Sequence, residues 1–125
     1  MKADGAMKTI LIVDDEPDIA DVVTTTLEEQ GYRVVVACNG VQGLERMKET
    51  PPDLLICDLM MPLMDGATMC QRLCSDPQHN GLLIIVASVM DEATIEEQFP
   101  RYDGFLRKPY RLGALLDLVD TLATR

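Results

Sequence analysis

The amino-acid sequence predicts an α/β fold, a doubly wound, five-stranded parallel sheet with helices on both of its faces. Three observations lead to this prediction. Short apolar runs alternate with segments of helical periodicity along the chain, as in consecutive βα units. The third run, 54–57, is apolar throughout, which is typical of a strand buried on both faces. Acidic or polar residues directly follow four of the runs, at the edge where open α/β sheets bind their ligands.

The first half of the chain predicts three strands and two helices. The strand 9–13 leads into an acidic turn and then to Pro17, a residue favoured in the first turn of a helix. The helix that follows has an apolar stripe and ends at Gly31. The members of this stripe are Ile19, Val22, Val23, Thr26 and Leu27. The β-branched run 33–37 is the second strand, and a shorter second helix precedes the third strand. The apolar positions of that helix are Val41, Leu44 and Met47.

The second half predicts three helices and two strands. A third helix, broken at Asp76-Pro77, has apolar positions Ala67, Cys70, Leu73 and Cys74. The run 82–87 is the most apolar of the chain, and the short acidic segment 91–98 after it is helical in pattern. The strand 104–107 precedes Lys108-Pro109, and the last helix carries Leu112, Leu115, Leu116, Val119 and Leu122. Five strands and five helices therefore alternate, joined by right-handed crossovers.

Length and composition predict one domain and exclude some functions. A chain of 125 residues suits a single domain, with 1–7 as a flexible lead-in and 8–125 as the domain. A formal net charge of -10 argues against direct nucleic-acid binding, which needs a basic face. No apolar run approaches the ~20 residues of a membrane span, and 1–7 lacks the apolar core of a secretory signal. The four cysteines form no CxxC pair and are interpreted as reduced core residues of a cytoplasmic protein. They are Cys38, Cys57, Cys70 and Cys74.

The strand ends carry the side chains of a phosphoryl-transfer site. Asp14 and Asp15 follow the first strand, Asp58 the third, Ser88 the fourth and Lys108 the fifth. If the strands take the order 2-1-3-4-5, the first and third are neighbours where a crevice opens. Carboxylate oxygens suit Mg²⁺, which also binds phosphate, and a carboxylate can act as a nucleophile. An ammonium and a hydroxyl on adjacent strands can hold the phosphoryl oxygens.

These residues, in this order, resemble the receiver domains of two-component response regulators. The resemblance covers the chain from about Lys8 to Thr124. It rests on Asp14-Asp15, on Asp-Leu-Met-Met-Pro-Leu-Met-Asp-Gly at 58–66, on Ser88 and on Lys108-Pro109. It implies a flavodoxin-like sheet with the strand order 2-1-3-4-5.

The resemblance also implies how the acids act. Asp58 is expected to be the phospho-acceptor, taking a phosphoryl group from the phosphohistidine of a sensor histidine kinase or a phosphotransfer protein. Mg²⁺, or Mn²⁺ in its place, is expected on Asp15, Asp58 and the backbone carbonyl of Met60. Asp14 is expected to act on the metal largely through water.

The resemblance also implies that the other site residues contact the bound phosphoryl group or move in response to it. Lys108 is expected to pair with Asp58 and then with the phosphate, next to a cis peptide bond to Pro109. Ser88 and Phe105 are expected to be switch residues that move when the phosphate is bound. Their movement would change the surface seen by a downstream protein or effector domain.

Other functions stay open on the sequence alone. A Mg²⁺-dependent aspartyl-phosphate phosphatase or phosphotransferase would use the same nucleophile. Haloacid-dehalogenase-type enzymes, however, carry a second acid two residues after it, where this chain has Met60. A receiver-like module that binds a partner without phosphorylation is a third possibility, which the complete set of polar residues disfavours. We expect a switch that catalyses only its own phosphorylation and dephosphorylation, without membrane contact.

Each site residue also has a purely structural interpretation. Asp14 and Asp15 could cap the first helix, Lys108 could be a solvated charge, and Ser88 could be an ordinary strand-end hydroxyl. Phe105 could be a core aromatic and nothing more.

The sequence departs from its relatives before the fifth strand. Relatives commonly carry Gly-Ala there, where this chain has Arg101-Tyr102. Pro100 disfavours helical geometry at Phe99, so the preceding helix should end by about residue 98, with Ile95 and Phe99 as its anchors. Such a short helix has little intrinsic stability. We expect this segment to be short or irregular, and to be the most mobile part of the fold outside the termini.

Overall fold

The five strands form one parallel sheet. The computed structural model describes residues 8–58, 68–69, 71–72, 75–77, 81–99 and 101–124. The strands are β1 (Thr9–Val13), β2 (Arg33–Ala37), β3 (Leu54–Cys57), β4 (Leu83–Ser88) and β5 (Gly104–Arg107). All four neighbouring pairs are parallel, in the order β2-β1-β3-β4-β5. The predicted fold class and strand order are therefore confirmed.

Four helices have complete bounds in the described part of the chain. They are α1 (Pro17–Glu29), α2 (Gly40–Glu49), α3 (Glu92–Gln98) and α4 (Leu112–Ala123). The fifth helix of the prediction was expected between β3 and β4, where the description is incomplete. Thr68, Met69, Gln71 and Arg72 are helical there, whereas Ala67, Cys70, Leu73 and Cys74 lie outside the described residues. Among the described helices, none has the length and apolarity needed to cross a membrane.

Two apolar cores form, one on each face of the sheet, because successive residues of a strand point to opposite faces. In β1, Leu11 and Val13 belong to the core that includes residues of α2 and α3. Ile10 and Ile12 belong to the core that includes residues of α1 and α4. The whole of β3 is buried, as its unbroken apolar run predicts.

Local sequence signals set the ends of several helices. The side chain of Asn39 accepts a hydrogen bond from Gln42 N–H at the start of α2, and Asp91 accepts one from Thr94 N–H at the start of α3. After α1, Gly31 has φ of 96°, a conformation that favours glycine. These caps let short helices begin and end without leaving buried backbone groups unpaired.

α3 ends where the sequence predicts, at Gln98. Its two predicted anchors are buried, since Ile95 is 0% and Phe99 3% exposed. The helix therefore depends on two apolar contacts with the core below it.

Four residues lie on the surface although the sequence analysis placed them in the core or on the apolar face of a helix: Val22, Cys38, Val41 and Leu112. Val22 is 51% exposed, so the buried stripe of α1 is narrower than predicted and consists of Ala20, Val23 and Leu27. Cys38 is an exposed thiol, whereas Cys57 is buried as predicted. Cys38 follows β2, an edge strand with a neighbour on one side only, which explains its exposure.

Candidate functional site

The sheet brings the polar strand ends together at its carboxyl edge. Asp14 follows β1, Asp58 follows β3, Ser88 ends β4 and Lys108 follows β5. The parallel ladder continues past the strands, because Asp58 N–H donates to the Val13 carbonyl (3.0 Å) and Lys108 N–H to the Ser88 carbonyl (2.8 Å). The backbone of the sheet thus fixes where these side chains begin.

The Lys108 ammonium lies among three acids. Its Nζ is 2.9 Å from Asp14 Oδ2, 3.0 Å from Asp58 Oδ2 and 3.4 Å from Glu16 Oε1. Asp14, Asp58 and Lys108 are buried, whereas the side chain of Glu16 is 55% exposed. An ammonium has three N–H donors, so it can serve all three acids. The expected pair of Lys108 and Asp58 is present, and two further acids share the same cation.

These acids decide the charge state of Lys108. Burial alone would lower its pKa, since it penalises the charged form. The hydrogen bonds and charges of Asp14 and Asp58 outweigh this effect and hold the pKa of Lys108 above its ordinary value. Lys108 is therefore a positive charge at the site throughout the neutral range.

Four carboxylates form a group that could hold a metal ion. Asp14, Asp15, Glu16 and Asp58 each place one oxygen within 4.8 Å of those of the other three. Carboxylate oxygens are the ligands that Mg²⁺ prefers in proteins. One ammonium among four carboxylates leaves an excess of negative charge, which a divalent cation would relieve. The donor set therefore fits Mg²⁺ or a similar hard cation. Met60, the source of the expected carbonyl ligand, lies outside the described residues.

Glu16 is the member of this group to which the sequence analysis gave no role. Its backbone N–H donates to Asp14 Oδ1 (2.9 Å). It occupies the N-cap of α1, but its side chain makes no capping hydrogen bond. The available signal was its place as the third acid of the run after β1. A run of acids does not reveal which of its members turn towards the lysine.

The two expected switch residues lie at the β4–β5 end of the site. Ser88 is fully buried, and its hydroxyl oxygen accepts a hydrogen bond from Met90 N–H (3.2 Å). Phe105 is partly buried and packs against the core that includes α3 residues. Its ring centroid lies 6.5 Å from that of Tyr102. Both residues are therefore placed where a change at the site could reach α3.

A cleft of about 590 Å³ opens beside Lys108. Glu16 and Asp18 line it, and Lys108 reaches it from β5. Its lining includes three exposed apolar side chains, Val22, Val89 and Leu112. The peptide bond between Lys108 and Pro109, another lining residue, is cis, as the resemblance implies. The cleft gives Lys108 an opening to solvent beside the acids.

Comparison with models of protein families shows the family to which the chain belongs. The model of the response regulator receiver domain matches residues 10–120, a stretch that contains Asp14, Asp58, Ser88 and Lys108. The chain belongs to this family. Its sequence is that of a receiver domain of two-component response regulators.

Curated relatives of this receiver domain include a transcriptional regulator and a response regulator. It is 34% identical over 123 residues to the DNA-binding dual master transcriptional regulator RpaA of Synechocystis, in a match that covers 95% of this chain and 50% of RpaA. It is 32% identical over 117 residues to response regulator RR06 of Streptococcus pneumoniae, covering 93% of this chain and 53% of that protein. The receiver domain thus spans about half the length of these relatives.

Solved structures share its fold. The chemotaxis response regulator CheY4 of Vibrio cholerae has a TM-score of 0.87 at 25% identity, with 94% of this chain and 99% of CheY4 covered. The response regulator TrrA of Thermotoga maritima, solved in complex with Mg²⁺-BeF, has a TM-score of 0.82 at 28% identity. That match covers 93% of this chain and 99% of TrrA.

Proposed function

We propose that this receiver domain is a phosphorylation-controlled switch with Asp58 as the phospho-acceptor, and that it occupies residues 8–125. The observation that carries the proposal is the Lys108 ammonium, held 3.0 Å from Asp58 and 2.9 Å from Asp14 in a group of four carboxylates. Phosphoryl transfer depends on positioning and charge neutralisation. This arrangement supplies both to a carboxylate nucleophile.

The proposed transfer moves the phosphoryl group from nitrogen to oxygen. An Asp58 carboxylate oxygen forms a bond to the phosphorus of a phosphohistidine as the N–P bond breaks. The electron pair of that bond stays on the imidazole nitrogen, which takes a proton from water. A carboxylate is already ionised near neutral pH, so the attack needs no general base. The product is an aspartyl phosphate on Asp58.

Lys108 balances the charge as the transfer proceeds. Lys108 pairs with Asp58 before the transfer, and one of its N–H groups donates to a phosphoryl oxygen as the transfer proceeds. Asp14 stays in contact and keeps the ammonium in place. Asp15 and Asp58, with the carbonyl of Met60 and with Asp14 through water, would hold Mg²⁺ or Mn²⁺. The bound cation supplies further charge neutralisation at the phosphoryl oxygens.

We further propose that phosphorylation changes the conformation of the domain at Ser88 and Phe105. The Ser88 hydroxyl accepts from Met90 N–H and still has its own proton to donate to a phosphoryl oxygen. A turn of Ser88 towards the phosphate would let Phe105 move inward beside it. That movement would alter the surface formed by α3 and β5.

The proposed partners follow from the family. On the input side we propose a sensor histidine kinase or a phosphotransfer protein, and on the output side a downstream protein or effector domain. RpaA is described as DNA-binding, but the formal net charge of -10 argues against nucleic-acid contact by this domain itself. Reduced cysteines, as the sequence analysis predicts, would suit a cytoplasmic setting, which is part of the proposal.

Intact-mass spectrometry tests the acceptor. Incubation with Mg²⁺ and acetyl phosphate should add one phosphoryl group, which acid or base should remove. Asp58→Asn should abolish the addition because an amide is not a competent nucleophile. Asp21→Asn, which changes an exposed acid on α1, is the matched control and should still be labelled.

Two outcomes would contradict the proposal. A phosphoryl group that persists on Asp58→Asn would place the acceptor elsewhere. Sustained multiple-turnover hydrolysis of a phosphate monoester by the wild-type domain would favour a phosphatase of the aspartyl-phosphate type.

A further inference from the structure

We propose that Glu16 is a positioning residue that restrains Lys108 in the resting domain and slows phosphoryl transfer until it releases that lysine. The inference rests on the proposed function, since it assigns Lys108 to the incoming phosphoryl group. Its geometric basis is the 3.4 Å contact between Glu16 Oε1 and Lys108 Nζ.

The direction of the Glu16 side chain is not explained by helix capping. Glu16 occupies the N-cap of α1, where a side-chain oxygen usually accepts a backbone N–H, yet it makes no such bond. Its backbone is fixed, because its N–H donates to Asp14 Oδ1 (2.9 Å). Its carboxylate turns instead to Lys108. The contact therefore reflects attraction between the two charges.

Lys108 has no N–H to spare in this arrangement. Its three donors face Asp14, Asp58 and Glu16. Asp14 is 6% exposed and accepts hydrogen bonds on both of its oxygens, so releasing it would leave a buried charge unpaired. Glu16 makes the longest of the three contacts and is 55% exposed, so water can replace the lysine. Glu16 is the acid that can give way when Lys108 turns to a phosphoryl oxygen.

Glu16 also opposes the approach of the donor. Its carboxylate belongs to the group of acids around Asp58, and phosphodonors are anions. A carboxylate at this position repels the incoming phosphoryl group. Loss of the negative charge and release of Lys108 act in the same direction. Removing the carboxylate should therefore speed phosphorylation of Asp58.

The experiment compares Glu16→Gln with Asp18→Asn and the wild-type domain. Asp18 lines the same cleft but makes no ion pair with Lys108. Its variant removes the same charge and leaves the lysine contacts intact. Second-order rate constants are measured by intact mass with acetyl phosphate and with the less negatively charged phosphoramidate, at a Mg²⁺ concentration that saturates each variant.

Glu16→Gln should raise the rate constant several-fold with both donors, and more than Asp18→Asn does. The ratio of the acetyl phosphate to the phosphoramidate rate should also rise in Glu16→Gln, a change that a purely structural role would not produce. Equal effects of the two variants, or no acceleration in Glu16→Gln, would overturn the inference and leave the proposed function intact. A wild-type domain that takes up no phosphoryl group from either donor would instead overturn the proposed function.

Discussion

Tyr32 shows how a single polar group links distant elements of the fold. It lies just before β2, is 4% exposed, and donates its hydroxyl proton to Asp120 Oδ1 of α4 at 2.7 Å. Burial raises the pKa of the Tyr32 hydroxyl, and the hydrogen bond and charge of Asp120 raise it further. The folded state therefore holds this proton more tightly than the unfolded chain does.

Tyr32→Phe should lower the free energy of unfolding by about 1 kcal/mol near neutral pH, through the loss of one hydrogen bond. The difference from wild type should be fully present below pH 10, the ordinary pKa of tyrosine. Above it the unfolded wild-type chain loses the proton first, so wild-type stability falls and the difference shrinks. Urea unfolding followed by circular dichroism from pH 7 to 11 measures this. A difference that stays constant up to pH 11 would contradict the assignment.

At the scale of residues, the sequence predicted correctly which polar side chains lie close together. It did not predict all of the ion pairs that they form. Asp14, Asp58, Ser88 and Lys108 could be placed together because all strands of a parallel sheet end at the same edge. The contact of Lys108 with Glu16 could not be predicted in this way. The direction of a half-exposed side chain depends on the partner that the fold brings near it.

At the scale of elements, α3 is a short helix that depends on its neighbours. It has seven residues, too few for stability on its own. Pro100 predicted its end, and Ile95 and Phe99 predicted its anchors. A third support escaped prediction, since the Tyr102 hydroxyl lies 2.7 Å from Glu92 Oε2 and 3.1 Å from Glu96 Oε1. Two acids one turn apart on α3 thus share a tyrosine that precedes β5. The pattern of apolar and polar residues along the chain does not reveal this contact.

Tyr102→Phe should loosen α3 without unfolding the domain. The hydroxyl contributes roughly 0.5–1.5 kcal/mol to holding the helix, so amide exchange across 92–98 should accelerate by roughly two- to ten-fold if it occurs through local opening. In the wild-type domain we expect 91–102 to exchange fastest among the segments between the termini. Hydrogen exchange read by mass spectrometry tests both expectations, with Tyr32→Phe as the matched loss of a hydroxyl elsewhere.

The same experiment can connect α3 to the phosphorylation site. Phe105 belongs to β5, the strand that leads to Lys108, and its ring centroid lies 6.5 Å from that of Tyr102. Exchange across 91–102 should therefore change when beryllofluoride and Mg²⁺ are added as a phosphate mimic. Strong protection of α3 that neither the mimic nor Tyr102→Phe alters would show that the output surface lies elsewhere.

At the scale of the whole molecule, several negative charges are concentrated at the carboxyl edge of the sheet. The formal net charge is -10, and four acids converge at one edge of the sheet with Lys108 as their cation. Lys108 contacts Asp14, Asp58 and Glu16 but forms no ion pair with Asp15. Asp15 is therefore the member of the group whose charge this lysine neutralises least. Clustered like charges oppose the compact state unless a cation relieves them.

Mg²⁺ should therefore stabilise the folded domain. At about 100 times its Kd, the gain should be about 2.7 kcal/mol if the unfolded chain does not bind the metal, enough to raise Tm by roughly 10 °C. Asp15→Asn should raise the stability of the metal-free domain, because it removes one repelling charge, and should weaken the response to Mg²⁺. Asp18→Asn, just outside the group, should do neither. Thermal unfolding across a Mg²⁺ titration measures all three proteins, and a wild-type Tm that is indifferent to millimolar Mg²⁺ would refute the metal site.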